Sequence, residues 1–174
     1  GQVSEVLLFH HAQGLTPGVV ALADELRHAG RTVHTPDLFG GRTFTTLEEG
    51  VAHLTATGFD EVVARGLRCA DDLPEGLVYA GISLGVVPAQ RLAQTRRGAR
   101  GALLLEACVP IFAGEGDLDA ARALVAEAGA TAAAELFTYP GDRHLFTDRS
   151  LPGHDGPATE LVVARVLDLL AALG

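Results

Sequence analysis

Gly81-Ile82-Ser83-Leu84-Gly85 holds a serine between two glycines. A serine hydroxyl is a weak nucleophile until a base takes its proton, and the base needs an acceptor to orient it. G-x-S-x-G is the spacing of a sharp turn between a strand and a helix that exposes a nucleophilic serine. Small flanking residues are required there because the turn is strained and the strand and helix approach closely. The competing reading is a phosphate-binding turn. The spacing is not G-x-G-x-x-G, however, and all thirteen basic residues are arginine, so the lysine of a P-loop is missing.

In folds that present a serine this way, the acid follows it in the chain and the histidine comes last. Of seven histidines, only His144 and His154 lie late. His144, in Y-P-G-D-R-H-L-F, directly follows an apolar run and is the preferred base, the alternative being an exposed loop histidine. His154, in L-P-G-H-D-G-P, lies further into a polar loop. The acid candidates are Asp117 and Asp119 in G-E-G-D-L-D. Asp117 is preferred because it follows an apolar stretch, as an acid at a strand end does. Either aspartate could instead simply cap the helix that follows.

The elements that must position these groups alternate. "VSEVLLF" reads as a buried strand. In "TPGVVALADELRHAG", Thr16 can cap a helix, Pro17 suits its first position and Gly30 stops it. "RTVHTPDLFGG" predicts a second strand ending at Pro36, followed by a loop. "TTLEEGVAHLTATG" and "DEVVARGLRCADDL" are helical pieces broken at Gly58. "EGLVYAGIS" is a third strand, and "LGVVPAQRLAQTRRG" a helix whose early turns Pro88 makes irregular. "GALLLEA" is a fourth strand, "DLDAARALVAEAG" a helix, "AELFTYPG" a further strand and "TELVVARVLDLLAAL" the closing helix. Short apolar strands alternating with helices imply a parallel sheet covered on both faces, with ligands at the carboxyl ends of the strands. Ser83 falls at such an end.

The bulk properties narrow the classes. A chain of 174 residues, 48% hydrophobic and 20% charged, is expected to be one domain spanning residues 1–174 with a real core. A net charge of −9 disfavours a sequence-independent grip on nucleic acid or an anionic membrane. No apolar run reaches the roughly 20 residues of a membrane span. The start, "GQVSEVLLFHH", lacks the basic segment and cleavage site of a signal peptide, so a cytoplasmic protein is expected, and the missing Met suggests a processed or tagged beginning. Cys69 and Cys108 are read as buried, reduced cysteines. His10-His11 could suggest metal ligands, but neighbours at a strand end point to opposite sides, and no Cys/His/Asp cluster has ligand spacing.

"FHHAQGLTPGVVALADELRHAGRTVHTPDLFGG", "YAGISLG", "AGEGD" and "YPGDRHLF", in that order, resemble the dienelactone hydrolase family over nearly the whole chain. Their most specific parts are P-D-L-F-G-G after the second strand and the Y-P-G-x-x-H-x-F histidine loop. The resemblance implies an α/β-hydrolase-like fold: a mostly parallel sheet with helices on both faces, compact and without a large lid. It also implies hydrolysis of a small ester or lactone through an acyl-enzyme, with no cofactor. Ser83 would be the nucleophile and His144 the base. The backbone N–H groups of Leu84 and of Ala12, in the loop after the first strand, would form the oxyanion hole.

The chain departs from that family at three points. Dienelactone hydrolases proper carry cysteine where this chain has Ser83, so it is read as a serine member, the alternative being a cysteine replaced to trap an inactive enzyme. The family's glutamate after the first strand is here His11, which either lines the pocket or caps the strand end. Finally, "GALLLEA" and "VPIFAG" both read as strands with no room between them for the crossover that parallel strands need. Either residues 102–113 form one long bent strand, or a segment near Pro110-Ile111 is absent from the sequence. In the second case the acid could have gone with it. The family's substrates carry a carboxylate, for which Arg42 and Arg143 are candidates, with solvated surface arginines as the competing reading. A non-catalytic binding or scaffold domain that keeps the turn for packing is the alternative function.

Overall fold

The computed structural model describes residues 3–107, 117–128 and 134–174. Four apolar segments form a parallel sheet in the order β2-β1-β3-β4. These are β1 (Val6–Phe9), β2 (Val33–His34), β3 (Val78–Ile82) and β4 (Gly101–Leu105). The register sets Leu8 opposite Ala80 and Ala80 opposite Leu103. Each crossover between parallel strands carries helix, as the geometry of parallel pairing requires.

The helices start and stop where side chains or glycines dictate. Helix α1 (Pro17–His28) begins at Thr16, whose hydroxyl accepts the Val19 N–H. It is followed by Gly30 in the left-handed region. Helix α2 (Leu47–Thr57) is capped in the same way by Thr46 and separated from α3 (Phe59–Arg68) at Gly58, φ 98°. A 3₁₀ turn, Ser83–Gly85, leads into α4 (Val86–Thr95), so the irregular start expected from Pro88 falls one turn before it. Helix α5 covers Asp117–Ala128, and α6 (Gly156–Leu173) is capped by Asp155. Among the described residues no helix is long and apolar enough to cross a membrane.

Alternation along the strands splits the core in two. Val6 and Leu8 of β1 with Val78, Ala80 and Ile82 of β3 face α1 and α6, meeting Val19, Leu22, Val162, Val166 and Leu170. Leu7 and Phe9 with Tyr79 face the other way, onto Val62 of α3 and Ala89 and Leu92 of α4. Helices therefore cover both faces of the parallel sheet, as expected.

Two segments differ from the expectation. The second strand is only two residues long and stops before Thr35. "AELFTYPG" is not a strand where it is described, residues 134–141. Its aromatic and β-branched composition favours strands, but that preference takes effect only where a neighbour supplies pairing. Phe137 and Tyr139 instead stack on the Arg165 guanidinium of α6, at 4.1 and 5.0 Å. The question of "VPIFAG" and the connection near Pro110-Ile111 lies outside the described residues.

Candidate active site

At the carboxyl end of β3 the chain turns sharply, and Ser83 takes φ 52°, in the left-handed region that L-residues avoid. Only glycines fit on either side. A Cβ on Gly81 would overlap the carbonyl of Gly85, and one on Gly85 would overlap the carbonyls of Phe9 and His10. The turn is thus wedged against the end of β1. This close approach is the physical reason for both glycines of G-x-S-x-G.

Ser83 Oγ lies 2.8 Å from His144 Nε2, across 61 residues of sequence. His144 is exposed and sits in a turn where Leu145 also has positive φ, 60°. With the imidazole protonated on Nδ1, the serine O–H donates to Nε2, the arrangement in which the ring can take the proton as Oγ attacks. His154 lies elsewhere, at the start of α6, with its Nε2 buried and unpaired among the described residues.

The carboxylates divide. Asp117 opens α5, but its side chain lies outside the described residues. Asp119 is exposed and pairs with Arg122 one helical turn on, at 3.5 Å, so it belongs to the surface of α5. Glu106, at the end of β4, was not singled out from sequence. Its Oε1 accepts from the Thr147 N–H at 3.2 Å and the Thr147 hydroxyl at 2.7 Å. Thr147 lies three residues past His144. The signal was present: Glu106 ends the apolar run "GALLLEA", the same strand-end placement that favoured Asp117.

His11 does not line a pocket. It is fully buried and hydrogen-bonded through Nε2 to Asp148 Oδ2 at 2.6 Å. Its Nδ1 accepts the Gln13 N–H, which fixes Nε2 as the protonated nitrogen and the donor to Asp148. Asp148 also accepts from the hydroxyls of Thr16, at 2.5 Å, and Ser150, at 2.6 Å. Burial alone would raise the Asp148 carboxyl, but bonds from His11, Ser150 and Thr16 outweigh it and bring it down to about 2. The network ties the loop after β1 to the turn that carries His144.

His10 points to the opposite side of the sheet, as neighbours at a strand end do. Its Nδ1 donates to the His11 carbonyl and its Nε2 accepts the Leu38 N–H at 2.9 Å. Burial pushes it down to about 4, against smaller opposing contributions from its bond to the His11 carbonyl and from Asp37. A neutral His10 therefore pins the P-D-L-F-G-G loop. Asp37 completes that loop by accepting from the N–H groups of Phe39 and Gly41.

The remaining predicted residues lie on several different segments. Ala12 lies almost fully buried in the loop after β1, with its carbonyl against Gly50 of α2, and Leu84 follows Ser83 in the 3₁₀ turn. Arg42 is exposed, its guanidinium 5.4 Å from the Phe44 ring. The Phe44 backbone pairs with Gln13, so Arg42 lies on a segment fastened to the loop that carries Ala12. Arg143 is exposed beside His144. Cys69 is half-buried, and burial raises its thiol. Cys108 lies outside the described residues.

No protein-family model matches the sequence, and no curated protein matches it. Solved structures do match. The chain is similar to a dienelactone hydrolase-like promiscuous phosphotriesterase from metagenomic libraries, with a TM-score of 0.72 and 18% identity over 99% of this chain and 87% of that one. It is also similar to a candidate dienelactone hydrolase from Klebsiella pneumoniae subsp. pneumoniae, with a TM-score of 0.69 and 15% identity, covering 98% and 88% of the two chains. A third match is a candidate α/β-superfamily hydrolase from Xanthomonas campestris pv. campestris, with a TM-score of 0.55 and 19% identity, covering 97% and 99%. The fold read from the sequence and the fold of these neighbours agree: the chain has the α/β-hydrolase fold in its dienelactone hydrolase-like form.

Proposed function

We propose that the protein is a serine hydrolase that cleaves a small ester or lactone through an acyl-enzyme. The observation that carries this reading is the 2.8 Å approach of His144 Nε2 to Ser83 Oγ at a strained, glycine-flanked turn. Ser83 Oγ attacks the carbonyl carbon while His144 takes its proton, then returns it to the leaving alkoxide. Water repeats the sequence on the acyl-enzyme, with His144 as base again. The N–H groups of Leu84 and Ala12 would hold the oxyanion, and losing one such donor typically lowers the rate by roughly 10²–10³. Asp117 is the acid proposed from sequence to orient His144. The reading needs no cofactor. An exposed His144 supports an open site suited to small acyl groups, with Arg42 a candidate contact for an acidic substrate.

A fluorophosphonate probe followed by intact mass spectrometry tests this. One adduct is expected, mapping to Ser83 and absent from Ser83→Ala. That variant should also lose roughly 10⁴-fold or more of the turnover of p-nitrophenyl acetate. A folded wild-type protein that takes no adduct and turns over no ester, lactone or phosphotriester would overturn the reading in favour of a binding domain. Phosphotriesters belong in the panel because one structural neighbour is described as hydrolysing them.

A further inference from the structure

Among the described residues, three that are not glycine have positive φ: Ser83 at 52°, Glu106 at 63° and Leu145 at 60°. Each such residue carries backbone strain, and strain of this kind persists where the surrounding structure over-determines the backbone and collects at functional sites. Ser83 carries the nucleophile, and Leu145 adjoins the histidine that contacts it. Glu106 is the third, and the reaction outlined above does not use it.

Its placement is not incidental. Ile82 of β3 is in register with Leu105 of β4, so Ser83 and Glu106 are the next residues on adjacent strands. Both turn into the left-handed region at the same end of the sheet. The Glu106 carboxylate then reaches the histidine turn, where Oε1 accepts both the N–H and the hydroxyl of Thr147, itself only about 1% exposed. Among the described residues, Glu106 Oε2 is buried and has no hydrogen-bond partner. Leaving a buried carboxylate oxygen unpaired is destabilising.

We propose that Glu106 is a positioning residue for His144, holding the 144–147 turn through Thr147 so that the imidazole meets Ser83. This rests on the serine-hydrolase reading for its consequence in catalysis, but not for its geometry. A strained strand end, a two-donor anchor and a strained histidine turn form one mechanical unit. Remove the acceptor and Leu145 is free to relax to negative φ, which carries the ring away from Oγ.

The experiment compares Glu106→Ala, which removes the acceptor, with Glu106→Gln, which keeps an oxygen for Thr147, and with Thr147→Val. Each is measured below its own melting temperature. The ¹⁵N shifts of the His144 ring report the Ser83 hydrogen bond without requiring turnover. Fluorophosphonate labelling, and kcat and KM on p-nitrophenyl acetate, report its consequence. Glu106→Ala is expected to lose the ring's hydrogen-bond signature and roughly 10–100-fold in kcat and labelling rate, with KM little changed, as for a misplaced catalytic group. Glu106→Gln should restore most of both, and Thr147→Val should fall between. An unchanged ring signature in folded Glu106→Ala, or equal losses in the Ala and Gln variants, overturns the proposal. A wild-type protein that shows the ring signature but no labelling overturns the hydrolase reading alone.

Discussion

Asp148 and His11 hold each other where water does not reach. One carboxylate takes hydrogen bonds from an imidazole, two hydroxyls and the Ser150 N–H, all drawn from three segments of chain. Bonds to a charged acceptor are the stronger kind, so Asp148→Asn is expected to destabilise the protein by about 1.5–3 kcal/mol at pH 7. Its pH dependence has a definite sign. The folded Asp148 carboxyl lies at about 2, below the ordinary aspartate value of about 3.9. Its contribution is therefore fully present above the unfolded value and is lost as pH falls through the folded one. Urea unfolding of both proteins between pH 6 and pH 2 checks this. The gap between them should narrow below about pH 4; parallel curves would show that the charge contributes nothing. The readable and unreadable residues of the site differ in one physical respect. Ser83 is legible because its turn is local and two glycines four residues apart encode it. The Asp148–His11 bond spans 137 residues and the Glu106–Thr147 bond 41, and nothing in a linear pattern pairs such groups.

The elements meet at glycines. Gly85 lets the turn after β3 sit on the end of β1, and Gly50 lets α2 rest on the Ala12 carbonyl. Gly18 lets the N-terminal turn of α1 close over Asp148, where any Cβ would overlap the carboxylate. Each is a contact with backbone or with a bonded side chain, which has nowhere to move. Gly85→Ala is therefore expected to destabilise the protein by about 1–3 kcal/mol and to abolish fluorophosphonate labelling. Gly30→Ala is the control. Its position has positive φ but open space, so it should cost about 1–2 kcal/mol and leave labelling intact. Equal labelling of the two variants would show that the turn tolerates a side chain. The same logic separates the elements that formed as expected from the expected strand that did not. Caps and breakers at Thr16, Gly30, Thr46 and Gly58 act within a few residues, so the helices fall as expected. "AELFTYPG" depended on a distant pairing partner, and its rings found Arg165 instead.

The sheet is a wall shared by two cores, and that governs how the whole molecule should unfold. Leu170 of α6 packs against one face, while Leu7 of β1 points into the other; both are almost fully buried. Losing either layer exposes the apolar residues of the same strands, because Val6 and Leu8 alternate with Leu7 and Phe9 along β1. Neither layer is expected to survive alone, so residues 1–174 should behave as one cooperative domain. Leu170→Ala and Leu7→Ala should each cost about 2–5 kcal/mol. Each should shift a single urea transition to lower concentration without changing its slope, with near- and far-ultraviolet circular dichroism coinciding. A Leu170→Ala protein that loses α1–α6 packing while Tyr79 keeps its native near-ultraviolet signal would break that coupling. The two faces would then be separable units. In that event the Ser83 turn, whose glycines contact β1 and whose helix α4 packs on the Leu7 face, would keep its shape after the α6 layer was gone. Fluorophosphonate labelling at intermediate urea distinguishes the cases: in a cooperative molecule it vanishes with the single transition, whereas separable faces would let it outlast the α6 layer.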